Sequence, residues 1–132
     1  MGTVQRLSPA DFTILSNPGI TSEQIAWQQN APPMLRVTIT RVMMEPGATS
    51  QRHSHPESEQ TWIVEQGSAT LLLVDGKTEE IRAGDVVRTP AGEVHGVRNS
   101  GAEPFVYLTI TTPPQDFTPA YEHAHSLRAS SA

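Results

Sequence analysis

The chain has no cysteine among its 132 residues. That excludes disulfides and every thiolate metal site, so a bound metal has to be held by nitrogen and oxygen. No apolar run approaches the length needed to span a bilayer. Runs of basic residues are missing as well: 9 Lys and Arg are scattered among 14 Asp and Glu, for a net charge of −5. Neither nucleic acid nor an anionic membrane is therefore an expected partner. Residues 1–15 contain Asp11 and polar breaks, without the apolar core of a secretion signal. A soluble cytoplasmic protein is the expectation. Internal repeats are absent, and the length suits one domain, 1–132, large enough to bury a core.

Turn residues are abundant. The 11 prolines and 9 glycines punctuate short runs rich in Val, Ile, Leu and Thr, a pattern that predicts an all-β barrel or sandwich. The strand candidates are 35–44, 60–65, 68–74, 77–81, 85–89, 96–99 and 105–112. Asp75-Gly76 between two of them has the composition of a type I′ hairpin turn. Pro46-Gly47 and Ala83-Gly84 read as further tight turns. One short N-terminal helix is predicted over 22–29, because Thr21 and Gln24 are spaced as a capping box. The stretch 113–132 ends rich in Ser and Ala and reads as a poorly ordered extension and tail.

Two punctuated motifs stand out inside this β pattern. The first is Gly47-x5-His53-x-His55-x4-Gln60-x6-Gly67, and the second Gly84-x5-Pro90-x-Gly92-x2-His95-x3-Asn99. A lone HxH says little, since spacing by two merely puts both imidazoles on one face of a strand. The second motif adds a turn at Pro90 and Gly92 that sets His95 at the start of a strand. Three neutral imidazoles suit Zn, Fe, Ni, Cu or Mn, and the second nitrogen of each ring is free to be oriented by a hydrogen bond. His53, His55 and His95 are thus the candidate ligands of one divalent transition metal.

Together the two motifs resemble the cupin superfamily, over the segment from Gly47 to Asn99. The resemblance implies a double-stranded β-helix (a small jelly-roll barrel), one metal in the core 47–99, and usually a homodimer. It also implies His53, His55 and His95 as ligands. Where the family pattern has Glu, this chain offers two adjacent residues. A four-residue spacer after His55 selects Gln60, and a three-residue spacer selects Glu59. Strand parity sides with Gln60, which shares a face with the apolar Trp62 and Val64, while Glu59 shares the other with Glu65. With Gln60 every protein ligand is neutral and the ion keeps its full charge; with Glu59 the charge falls by one. A Gln here is similar to the small cupins that open unsaturated uronates and to the polyketide cyclases. His53-Ser54-His55-Pro56 and the Pro-rich run ending in Asp116-Phe117 look like the uronate group. The acidic residue used by that group would fall near Thr109, which cannot act as a base.

Glu59 and Trp62 are the candidate catalytic residues, Glu59 as an acid/base beside the metal and Trp62 as an aromatic pocket wall. Arg41, Arg52, Arg88 and Arg98 are candidates to fork a substrate carboxylate, although a solvated strand face is the commoner role. His123 and His125 form a second HxH with no carboxylate or amide at a useful spacing. The leading function is a metalloenzyme using a divalent Lewis acid on a small organic acid or keto/enol substrate, of isomerase, cyclase or lyase type. Two others compete: an Fe-, Ni- or Cu-dependent dioxygenase cleaving a diketone or enol, and a non-catalytic small-molecule binder.

Overall fold

The computed structural model of the protein describes residues 4–30 and 35–126. Its strands are β1 (Thr13–Asn17), β2 (Ile20–Ala26), β3 (Thr38–Met44), β4 (Thr49–His53), β5 (Glu59–Gln66), β6 (Ser68–Leu73), β7 (Thr78–Arg82), β8 (Val86–Thr89), β9 (His95–Arg98), β10 (Phe105–Thr112) and β11 (His123–Ser126). They form two antiparallel sheets, one ordered β11-β1-β2-β3-β10-β5-β8 and the other β4-β9-β6-β7. Inward side chains of both sheets meet in one core, Val42, Trp62, Val64 and Phe105 from the larger and Ala69, Leu71 and Val97 from the smaller. The chain adopts the all-β architecture expected from the punctuation and the two-sheet form implied by the resemblance, and among the described residues its helices are single 3-10 turns.

Every strand predicted above is present, and β10 has the predicted ends. Asp75 and Gly76 both have positive φ, 59° and 72°, and the Lys77 N–H closes the turn on Val74 O at 3.2 Å, as a type I′ hairpin requires. The predicted helix over 22–29 is absent. Residues 22–26 belong to β2, whose Ile20, Ser22 and Gln24 alternate into the interior while Ile20 pairs with Met44 across β3, and 27–29 form the turn that follows. A period of two, supported by Ile20 and Thr21, overrides a capping-box spacing that is only locally favourable.

The extension after β10 is also ordered further than its composition suggested. Residues 113–122 run as a strap back across the larger sheet, fastened at several points. Gln115 both donates its N–H to Thr38 Oγ1 (3.0 Å) and accepts from it (3.1 Å). Ser58 Oγ donates to Pro113 O, and Asn17 holds Ala120 O and the Glu122 N–H through its amide. β11 then pairs with β1. The rest of the predicted tail, 127–132, lies outside the described residues. No helix among the described residues is long and apolar enough to cross a membrane.

Candidate metal centre

His53 closes β4 and His95 opens β9, and the two are direct partners across the β4–β9 ladder. A bulge in β4 makes this possible. Between the Ser50–Val97 pair and the His53–His95 pair, β4 advances by three residues and β9 by two. The bulge needs Gly96: a Cβ there would lie 2.7 Å from Ser50 O and 2.9 Å from the Arg52 nitrogen, both backbone atoms. His55 lies just past β4, and its carbonyl accepts the Gly92 N–H at 2.8 Å. The Pro90–Gly92 turn of the second motif is thus hydrogen-bonded to the HxH of the first. The three ring centroids lie 4.6–5.2 Å apart. One potential ligand atom from each ring comes within 4.8 Å of the others. Nitrogens sharing one ion sit roughly 3 Å apart at Zn–N bonds of about 2.0–2.1 Å, so small side-chain rotations complete the convergence.

The ring nitrogens are also correctly assigned for ligation. His53 Nδ1 lies 2.7 Å from Gln51 O and His95 Nδ1 lies 3.1 Å from Glu93 O. A carbonyl only accepts, so each Nδ1 carries a proton, which makes Nε2 the nitrogen left to ligate. The Nε2 atoms of His55 and His95 are buried with no hydrogen-bond partner. Burial, together with repulsion from the neighbouring rings, lowers His55 to a pKa of about 4. Burial likewise lowers His95, partly opposed by its bond to Glu93 O. Both rings are therefore neutral near pH 7, the form a metal needs. Orphaned, buried, neutral imidazole nitrogens are a donor set that fits a divalent transition metal.

β5 supplies the next group. Gln60 is buried, donates from Nε2 to Thr111 Oγ1 at 3.1 Å, and lines the same cavity as His53 and His55. Trp62 Nε1–H donates to Gln60 Oε1 at 3.1 Å, and the indole stacks on Tyr107 at 4.4 Å with its edge toward His95. Glu59 is not brought to this group. It lies on the outer face of β5, half-exposed, and pairs with Arg88 at 3.1 Å. An acid/base role for Glu59 beside the metal is not met by this position, since strand parity turns it away from the cavity.

The cavity has a volume of about 580 Å³. The arginines singled out from the sequence do not serve it. Arg41 pairs with Glu23 and Glu65, Arg88 with Glu59, and Arg98 is exposed on β9. Arg52 lines the cavity wall, but its guanidinium donates to Leu73 O and Lys77 O in the β6–β7 hairpin. His123 and His125 are exposed on β11 and join no metal-competent group among the described residues.

Sequence reasoning missed the strap as a cavity wall. Asp116, Phe117 and Tyr121 all line it, with the Phe117 ring 6.0 Å edge-on from His55. Hydrogen bonds from Thr118 hold the Asp116 carboxyl below its usual range. Burial raises Tyr121 above the ordinary phenol value. Thr109, where the uronate-opening group would place an acid, is buried in the wall with its hydroxyl unpartnered.

Comparison with known proteins agrees with this architecture. Residues 40–111 match the family described as Cupin domain. Oxalate decarboxylase OxdC of Bacillus subtilis is 33% identical over 110 residues, 77% of this chain and 29% of that protein. (R)-mandelonitrile lyase of Granulicella tundricola is 39% identical over 79 residues, 60% of this chain and 57% of the lyase. The chain thus spans less than two thirds of either curated relative. Among solved structures, the polyketide cyclase RemF from Streptomyces resistomycificus superimposes with a TM-score of 0.72 at 21% identity, covering 94% of this chain and 85% of the cyclase. At that identity the likeness speaks for the fold.

Proposed function

The chain belongs to the cupin domain family, and on that premise we propose that it is a metalloenzyme holding one divalent transition metal through His53, His55, His95 and Gln60. Its substrate class is a small organic acid or keto/enol compound, and its reaction an isomerisation, cyclisation or elimination. The observation that carries this reading is the pair of buried, unpartnered Nε2 atoms on His55 and His95. Buried polar atoms are almost always satisfied, so two orphans aimed into one cluster call for a shared partner.

A divalent ion among wholly neutral ligands supplies Lewis acidity toward a carbonyl or enolate oxygen. The remaining work falls to the chain itself. The Gln51 and Glu93 carbonyls hold the His53 and His95 rings with Nε2 inward. Trp62 and Tyr107 form a rigid aromatic wall against which a substrate is oriented. The strap brings the Phe117 ring to 6.0 Å from His55 as part of the cavity wall. Asp116 is the single carboxylate lining the cavity among the described residues, and its bonds to Thr118 favour its ionised form. The curated relatives' names denote a decarboxylase and a lyase, which supports a bond-breaking elimination as the reaction class.

The test has two parts. Protein purified without a metal-binding tag should contain about one equivalent of a divalent metal by elemental analysis. The loaded protein should exchange the α-proton of an enolisable ketone for deuterium under anaerobic conditions, read by NMR. Exchange or turnover that requires oxygen would replace this reading with the dioxygenase. Metal uptake without any exchange would leave a binding protein.

A further inference from the structure

The cavity walls speak to the kind of molecule it takes, an inference that rests on the metal-centre reading above. A volume of about 580 Å³ falls within the range of roughly 300–1,000 Å³ common for drug-sized ligands, and a two-carbon acid would leave most of it empty. The walls beyond the histidines carry an aromatic and aliphatic set, the Trp62–Tyr107 stack with Phe117, Tyr121, Val42 and Met44, beside uncharged hydroxyl and amide side chains such as Thr40 and Gln115. Charge is nearly absent. Among the described residues Arg52 is the sole Arg or Lys in the wall, and its guanidinium is engaged by the carbonyls of Leu73 and Lys77. Asp116, the sole carboxylate, repels any second anion. An anionic group carried away from the histidine end would have to leave water with no cation to meet it, which is strongly unfavourable. Among the uncharged hydroxyl and amide side chains of the wall, the Thr109 hydroxyl is the donor that is buried without a partner. A ligand oxygen is the acceptor such a donor lacks.

We infer that the substrate presents one oxygen-bearing head to the three histidines and fills the cavity with a flat, uncharged, conjugated body, one of whose oxygens accepts from Thr109. Dicarboxylates such as oxalate and sugar phosphates are the classes this wall turns away, although oxalate is named in a relative.

The experiment titrates zinc-loaded protein with benzoylacetone, a flat aromatic β-diketone, and with oxalate, each followed calorimetrically. The diketone should bind at least tenfold more tightly than oxalate. Thr109→Val should weaken diketone binding by about fivefold, the loss of one hydrogen bond, with zinc content unchanged, and Thr109→Ser should restore it. Oxalate binding as tightly as the diketone overturns the inference, and so does zinc-loaded protein that ignores the diketone. An unchanged diketone affinity in Thr109→Val removes the assigned contact and overturns that half of it. Protein that takes up no zinc in equilibrium dialysis refutes the metal-centre reading instead, and this inference falls with it.

Discussion

The indole N–H of Trp62 donates to Gln60 Oε1 at 3.1 Å, two positions along the same face of β5. An indole nitrogen can only donate, so this bond determines which end of the Gln60 amide is oxygen. Nε2 then faces Thr111 Oγ1, leaving the second lone pair of Oε1 for another partner. The aromatic wall and the amide are therefore one unit, with Trp62 positioning Gln60.

The two neighbouring residues Gln60 and Glu59 should consequently respond differently to removal. Gln60→Ala is expected to lower zinc affinity by about tenfold, the scale on which disturbed ligation shells act. Glu59→Ala removes only an exposed pair with Arg88, worth less than about 1 kcal/mol, and should leave zinc affinity within about twofold. Competition titration against a chromogenic chelator measures both. The reverse order would mean that Glu59, not Gln60, completes the ligand set.

Removing His95 tests the centre itself. Its ring is buried between Trp62 and His53 and offers one of the orphaned nitrogens. His95→Ala should abolish stoichiometric loading, with affinity down at least 100-fold by the loss of a ligand. The metal-free variant should lose about 2 kcal/mol, from the space left in the interior, and still fold. Elemental analysis and denaturant unfolding followed by circular dichroism separate the two effects. Full metal retention in a folded variant would remove His95 from the ligand set.

The metal-free protein should also carry an acid sensitivity written by its buried imidazoles. His55 titrates near pH 4 in the folded chain against a usual 6.5, first because of burial and then through repulsion by His53 and His95. Between those values the unfolded chain binds a proton that the folded chain refuses, so stability rises with pH across the window. The contribution is intact above pH 6.5, declines as the pH falls, and is spent near pH 4. The total for His55 is about 3 kcal/mol. His95 is shifted in the same direction and adds to the slope. Thermal melts of metal-free protein at several pH values should show the decline, and His55→Gln should flatten it. A melting temperature indifferent to pH from 7 to 4.5 would contradict the burial of these rings.

Much of this site could be read before any coordinates, and the reasons are physical. Strand parity placed Gln60 inward and Glu59 outward because a period of two leaves no intermediate choice once Trp62 and Val64 must be buried. The histidines could be grouped because their spacings are punctuated by residues with restricted backbones, Pro90 and Gly92 among them. β4 could not be read: Thr-Ser-Gln-Arg-His has no apolar member, and its strand state comes entirely from pairing with β9. β2 was misread because Thr21 and Gln24 carry a helix-start spacing, whereas their environment is set by β3. The strap was underestimated because Pro113, Gln115 and Asp116 bear no periodicity. Their order comes from hydrogen bonds to Thr38, Ser58 and Asn17, residues that lie 55 or more positions away.

Gly96 joins the fold to the centre most directly. A methyl group there would meet three backbone atoms of β4 at 2.7–2.9 Å, closer than a Cβ can approach. Main chain cannot rotate aside as a side chain can, so Gly96→Ala must push β4 from β9 or twist both. Overpacking of this kind costs about 2 kcal/mol. The displacement acts on the rung where His53 faces His95, so the imidazoles should separate as the strands do. Two effects are therefore expected from one methyl: a lower denaturation midpoint and a zinc affinity reduced by about tenfold or more. Gly101→Ala serves as a comparison, because its Cβ would meet mainly the movable Ser68 hydroxyl at 3.1 Å, away from the histidines. It should cost less stability and leave zinc binding unchanged. If Gly96→Ala lost stability without losing zinc affinity, the close approach of β4 and β9 would be structural only. The ligand geometry would then have to be held by the Gly92–His55 tether.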